Sequence, residues 1–178
     1  MNEGITIPKN LVWLDLEMTG LNPVKDRIIE VAIILTKFDF IAINEYEKGV
    51  KQDENELRRL LQENDFWRSR PNETKKIIAH SLNGIDERIV ENEIIAIINS
   101  NFGDEPVYLA GNSIHMDRQF IKSWWPTLDS RLHYRMLDVS SFKLLWLSQG
   151  KEPFNKSEQH RALADIKESI SELKYYIN

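Results

Sequence analysis

LVWLDLEMTG, residues 11–20, sets two acids into an otherwise apolar run. In an extended chain successive side chains point to opposite faces, so Asp15 and Glu17 share one face while Leu14, Leu16 and Met18 line the other. Neighbouring carboxylates repel unless a cation lies between them or one of them takes up a proton. The stretch reads as a buried strand whose acidic face awaits a positive partner.

Working outward, RIIEVAIILTKF at 27–38 is rich in β-branched residues and reads as a second strand, joined to the first through the turn-rich LNPVKD. IAINEYEKGV at 41–50 follows as a third, and three consecutive strands suggest an antiparallel meander. Helical spacing then appears in ENELRRLLQENDFW at 54–67, with Pro71 marking a break, and again in ERIVENEIIAIINS at 87–100. PVYLAGNS at 106–113 is a strand ending in a Gly-Asn-Ser turn, followed by the helix IHMDRQFIKSWW, the strand LHYRMLDV and the helix SSFKLLWLSQG. A loop over 151–158 leads to His160, and the last helix carries an apolar stripe at 163, 166, 170, 173 and 177. This order predicts an α/β fold with a mixed sheet, a three-strand meander followed by alternating helices and parallel strands. With 178 residues and 42% hydrophobic content, one domain over the whole chain is expected.

Composition narrows the chemistry. The chain has no cysteine, so any metal must be held by oxygen or imidazole, which favours hard cations. A net charge of −5 argues against gripping long nucleic acid through a broad basic surface. It leaves room for an enzyme that meets phosphate with divalent cations. The N-terminus lacks the pattern of a secretory signal and no apolar run is long enough to span a bilayer, so a soluble, cytoplasmic protein is expected.

Four acids then stand out by position. Asp15 and Glu17 lie on the first strand, Asp117 one turn into the helix after the Gly-Asn-Ser turn, and Asp165 on the last helix. Helices packed beside a central strand could bring all four together. Oxygen donors in that number suit two Mg²⁺ or Mn²⁺ ions that share substrate phosphate oxygens.

DLEMTGL at 15–21, AGNSIHMD at 110–117, HYRMLDVS at 133–140 and HRALADIKESI at 160–170 resemble, in order, the motifs of the oligoribonuclease family of DEDDh 3′–5′ exonucleases. The resemblance implies a ribonuclease-H-like fold, a homodimer, and hydrolysis of very short oligonucleotides from the 3′ end to 5′-mononucleotides. It implies that Asp15, Glu17, Asp117 and Asp165 bind two divalent ions and that His160 is the general base. An unperturbed imidazole titrates near neutrality and suits that task. It further implies Leu21 as a wedge between the two terminal bases, Trp67 as a stacking surface, and Ser113, Tyr134 and Arg135 as a cap on the 5′-phosphate. The tyrosine would come from the other subunit, and adjacent strand positions facing opposite ways fit that division. The substrate implied is short single-stranded RNA, with DNA open as an alternative.

One departure stands out. The family's tryptophan is followed by a histidine and Ser-Gly-Leu, the histidine completing the cap. A gapless match puts Asn72 in that place, whereas a gapped match to HSLNGI at 80–85 offers His80. The gapless match is the simpler, and it leaves the cap without its histidine.

Blander readings compete. Asp138 reads as a helix N-cap, His115 and His133 as structural, Leu21 as a turn hydrophobe and Trp67 as a core anchor. Trp124 and Trp125 read as core or interface residues, with interface favoured because adjacent aromatics on one helix cannot both face inward. A catalytically silent scaffold would be expected to lack at least one of the five catalytic residues, and all five are present. The runner-up function is a broader exonuclease that trims or proofreads longer RNA or DNA.

Overall fold

The structure is a computed structural model that describes residues 7–156 and 161–177. Strands β1 (Asn10–Met18), β2 (Ile28–Lys37) and β3 (Ala42–Gly49) form the antiparallel meander; β4 (Val107–Gly111) and β5 (Leu132–Asp138) run parallel to β1. The order across the sheet is β3-β2-β1-β4-β5, so the strand with the two acids lies at the centre.

Both faces of the sheet are covered, which is why β2 is apolar almost throughout. On one face Val12, Leu14, Leu16, Val31, Ile33 and Leu35 pack with α4 (Glu87–Phe102) and α5 (His115–Trp124). On the other, Leu11, Trp13, Ala32 and Ile34 meet α8 (Ala162–Ile177) and Val139 of α7 (Val139–Leu147). A third cluster gathers Ile29, Leu57, Leu61, Trp67 and Ile77 beneath α1 (Glu54–Glu63), α2 (Asp65–Arg68) and α3 (Pro71–Leu82).

Three local expectations are corrected. The helix over 54–67 is two helices, because Asn64 is extended and its side chain accepts the Phe66 N–H, capping a new start. Pro71 does more than break a pattern: it takes the first position of α3, where a missing N–H costs nothing. The tryptophan pair is not a surface. Trp124 ends α5, Trp125 leaves helical geometry (φ −128°, ψ 62°), and that change of direction lets Trp125 bury fully while Trp124 packs against the core under the Arg27 guanidinium. Pro126 then opens α6 (Pro126–Arg131).

Candidate active site

The alternation along β1 that buries Leu14 and Leu16 against α4 and α5 aims Asp15 and Glu17 at the α8 side of the sheet. Asp165, in the first turn of α8, comes down onto them. Each of the three offers a carboxylate oxygen, and the three atoms all lie within 4.8 Å of one another. Asp117 reaches the same neighbourhood from α5 by a different route. It is buried, and its Oδ1 accepts the Leu16 amide at 3.0 Å, which ties the start of α5 to the middle of β1. The tight group of three does not include it.

Crowding and burial leave Asp15, Glu17 and Asp117 reluctant to ionise. Burial raises Asp15 well above the usual carboxylate range, and repulsion from Asp117, Glu17 and Asp165 raises it further. Glu17 is pushed up to about 8, by burial first and then by Glu30 and the two aspartates. Burial lifts Asp117 to about 7 against the opposing pull of its bonds to the Leu16 amide and its own amide. A divalent cation answers this electrostatic problem. The donors are all oxygen, they come from β1 and α8, and they converge closely enough for a single ion to touch all three.

Beside Glu17 lies a cavity of about 240 Å³ lined by Leu16, Glu17, Met18, Gly20, Leu21, Asn64, Phe66 and Trp67. Leu21 stands at its mouth, 71% exposed. Its loop is tight: Asp26 accepts from the Thr19 hydroxyl and the Asn22 amide, and a Cβ at Gly20 would sit 2.4 Å from that carboxylate. Trp67 lines the same cavity but departs from the expected open stacking surface. It is only 4% exposed, packs with Ile29, Leu57 and Ile77, and donates its indole N–H to the Met18 carbonyl at 2.9 Å. The aromatic that meets solvent there is Phe66, 40% exposed and edge-on to Trp67, a residue the sequence reading passed over.

On the other flank, Ser113 adopts a left-handed backbone (φ 48°), and its N–H donates to Asp138 Oδ1 and Ser140 Oγ at 3.0 and 2.9 Å. Asp138 also accepts the Ser140 N–H, so it is the N-cap of α7. Tyr134 is exposed on the edge strand and stacks on His133, which packs in turn on Tyr108. The Arg135 guanidinium lies over the Tyr134 ring at 5.0 Å, so the two side chains meet and are not parted to opposite faces. An edge strand has a free flank around which two long side chains can fold.

The position left vacant in the cap also looks different in three dimensions. Asn72 is exposed in the first turn of α3. His80, at the other end of that helix, lines a cavity with Glu30, Trp67 and Arg161, its Nε2 3.5 Å from Glu30. The helix thus brings His80 beside the acids and leaves Asn72 in solvent. Within one chain His80 stands on the β2 flank and Ser113 follows β4, on opposite sides of β1. Glu30 itself escaped the sequence reading, although a lone acid inside IIEVAIIL was a visible signal. It pairs in register with Glu17 and is fully buried. His160 lies outside the described residues.

The chain matches the exonuclease family over residues 12–173. It is 37% identical over 182 residues to the oligoribonuclease of Ectopseudomonas mendocina (strain ymp), a match spanning 95% of this chain and 94% of the relative. With the oligoribonuclease of Nitrosomonas europaea it shares 39% over 171 residues, 94% of this chain and 93% of the relative. Among solved structures it is similar to the zinc-bound form of an Escherichia coli exonuclease I complex with single-stranded DNA. That match has a TM-score of 0.63 at 14% identity and covers 93% of this chain and 39% of that one. An exonuclease I from Methylocaldum szegediense gives 0.59 at 17%, covering 92% and 39%. At such identities the likeness is one of fold, and the chain spans about two-fifths of the length of those exonucleases.

Proposed function

Because the chain belongs to the oligoribonucleases of the exonuclease family, we propose that it is a 3′–5′ exoribonuclease that degrades dinucleotides and small oligomers to 5′-mononucleotides. The observation that carries this reading is the convergence of Asp15, Glu17 and Asp165 on one point beside an apolar cavity. An oxygen-only, mutually repelling set fits hard divalent cations, and Mg²⁺ or Mn²⁺ are the ions proposed. Two such ions, when bound, supply an activated water and neutralise charge on the leaving 3′-oxygen.

The chain's own residues do the rest. Asp15, Glu17 and Asp165 would hold the ions, and Asp117, fixed by the Leu16 amide, would complete the set from α5. His160, assigned by the family motif, accepts the proton of the attacking water; it immediately precedes Arg161, which opens onto α8. Leu21 and Phe66 grip the terminal base from the two sides of the cavity mouth, with Trp67 as the floor. Stacking of this kind is tolerant of base identity. Ser113 and Arg135 meet the substrate's terminal phosphate, and Tyr134 reaches the site of a second subunit. A homodimer is supported by the apolar side chains left open on α7 and the edge strand: Leu144 (70% exposed), Leu145, Tyr134 and Met136. Among the described residues no helix is long and apolar enough to cross a membrane, and a cytoplasmic location is proposed.

The test is a length series of 5′-labelled RNA and DNA oligomers, run from the dinucleotide upward. The expected result is the highest kcat/KM for RNA dinucleotides, falling with length. A Leu144→Glu variant should sediment as a monomer and lose that preference together with the cap. A wild-type enzyme that favours long strands would instead support the broader trimming activity.

A further inference from the structure

Glu30 raises a question that the four acids do not answer. It interrupts the apolar run of β2 and is entirely buried, where a valine or isoleucine would cost nothing. Burying a carboxylate is expensive unless its charge is paired and its oxygens are bonded. It also sits in register with Glu17, adding repulsion to a site already crowded with acids. Local packing gives no reason to keep it.

Its partners do. One carboxylate oxygen accepts from the Arg161 Nε at 3.1 Å and from the Ala162 amide at 3.3 Å; the other lies 3.5 Å from His80 Nε2 on α3. Arg161 makes a second bond, from its Nη2 to Glu47 on β3 at 3.3 Å. Residues 161 and 162 are the entry to α8, and Asp165 is one turn further, its amide bonded to the Arg161 carbonyl at 3.0 Å. A continuous series of bonds therefore runs from β2 through Glu30 and Arg161 to the turn that carries Asp165. The other two carboxylates stand on β1, the immediate neighbour of β2.

We infer that Glu30, acting through Arg161, is a positioning residue that fixes the first turn of α8 against the sheet, so that Asp165 stays within reach of Asp15 and Glu17. This rests on the divalent-cation reading above. The pair governs the geometry of the ligand set without touching substrate, and the charge of Arg161 offsets the repulsion that Glu30 brings to the site. A buried ion pair is seldom kept for stability, since apolar replacements of similar volume are often neutral or stabilising. Function and stability should therefore part company here.

The experiment uses Glu30→Leu, Arg161→Met and Arg161→Lys, with Mn²⁺ affinity measured by calorimetry in the absence of substrate, kcat and KM on a dinucleotide, and thermal unfolding in chelator. Glu30→Leu and Arg161→Met should each weaken Mn²⁺ binding and lower kcat by roughly 10- to 100-fold, the range seen when the groups that orient metal ligands are lost. KM should stay within a few-fold; the unfolding temperature should hold in Glu30→Leu and in the double variant, and fall in Arg161→Met, which leaves the buried Glu30 carboxylate without its partner. Arg161→Lys should restore most of both losses, and the double variant Glu30→Leu/Arg161→Met should be no worse than either single one, because the two act as a unit. Arg161 is half exposed, so its variants carry the test even where Glu30→Leu fails to fold. Normal Mn²⁺ affinity and kcat in the folded Arg161→Met protein, or losses that multiply in the double variant, would overturn the inference. A wild-type protein that binds no Mn²⁺ and cuts no oligonucleotide would defeat the proposed function itself.

Discussion

Single residues at the site are legible to the extent that their neighbours on one strand decide them. Asp15 and Glu17 were readable because a period of two leaves no choice of face. The weight of their surroundings was not, since it comes from Asp117, Asp165 and Glu30, which lie distant in sequence. The consequence is measurable as a pH dependence. Glu17 and Asp117 bind protons more tightly in the folded chain than in the unfolded one, at about 8 and about 7. The folded, metal-free protein therefore holds more protons than the unfolded chain, and the stability this confers is full below the ordinary carboxylate range and lost as pH rises through those values. The unfolding temperature in chelator should fall between about pH 5 and about pH 8, and added Mn²⁺ should raise it most at the upper end, where the ion has fewest protons to displace. A chelated protein whose stability is flat or rises over that range would contradict the electrostatic account.

Elements were legible where periodicity was long and lost where one residue redirected the chain. Five strands and the helices α4, α5, α7 and α8 stand close to their expected bounds, because each buries a continuous face. Asn64 and Pro71 show the limit. A cap and a helix start are decided by one backbone conformation: the apolar spacing across Asn64 reads as a single helix, and Pro71 reads as a break where α3 begins. That redirection also decides which of two adjacent aromatics is open, turning Trp67 into the core and Phe66 toward solvent. The two should separate cleanly by substitution. Trp67→Ala should lose about 3–5 kcal/mol of stability in urea unfolding, as a large buried side chain does. Phe66→Ala should stay within about 0.5 kcal/mol of wild type, as surface changes do, while weakening dinucleotide binding by about 1–3 kcal/mol, the worth of one stacked base. A stable Trp67→Ala protein with weakened binding would restore the indole as the stacking surface.

At the scale of the whole molecule, the fold reads as a device for bringing β1 and α8 together. The sheet order puts β1 at the centre, α8 crosses it on one face, and α5 is stitched to it by Asp117 on the other. The mixed architecture followed from three strands in succession and then alternation, and the acids on it were found because their blocks fall in a family's order. The cap was less legible: Arg135 and Tyr134 meet on a free edge, and His80 is reached only through the length of α3. In the proposed function, three carboxylates from two elements form a divalent-cation site for cutting short RNA. Its most direct test is dinucleotide hydrolysis by one preparation assayed in excess chelator and again after Mg²⁺ or Mn²⁺ is restored, beside an Asp165→Asn variant. No product is expected in chelator, full recovery of the wild type with either ion, and little recovery of the variant; undiminished hydrolysis in chelator would contradict a divalent-cation site.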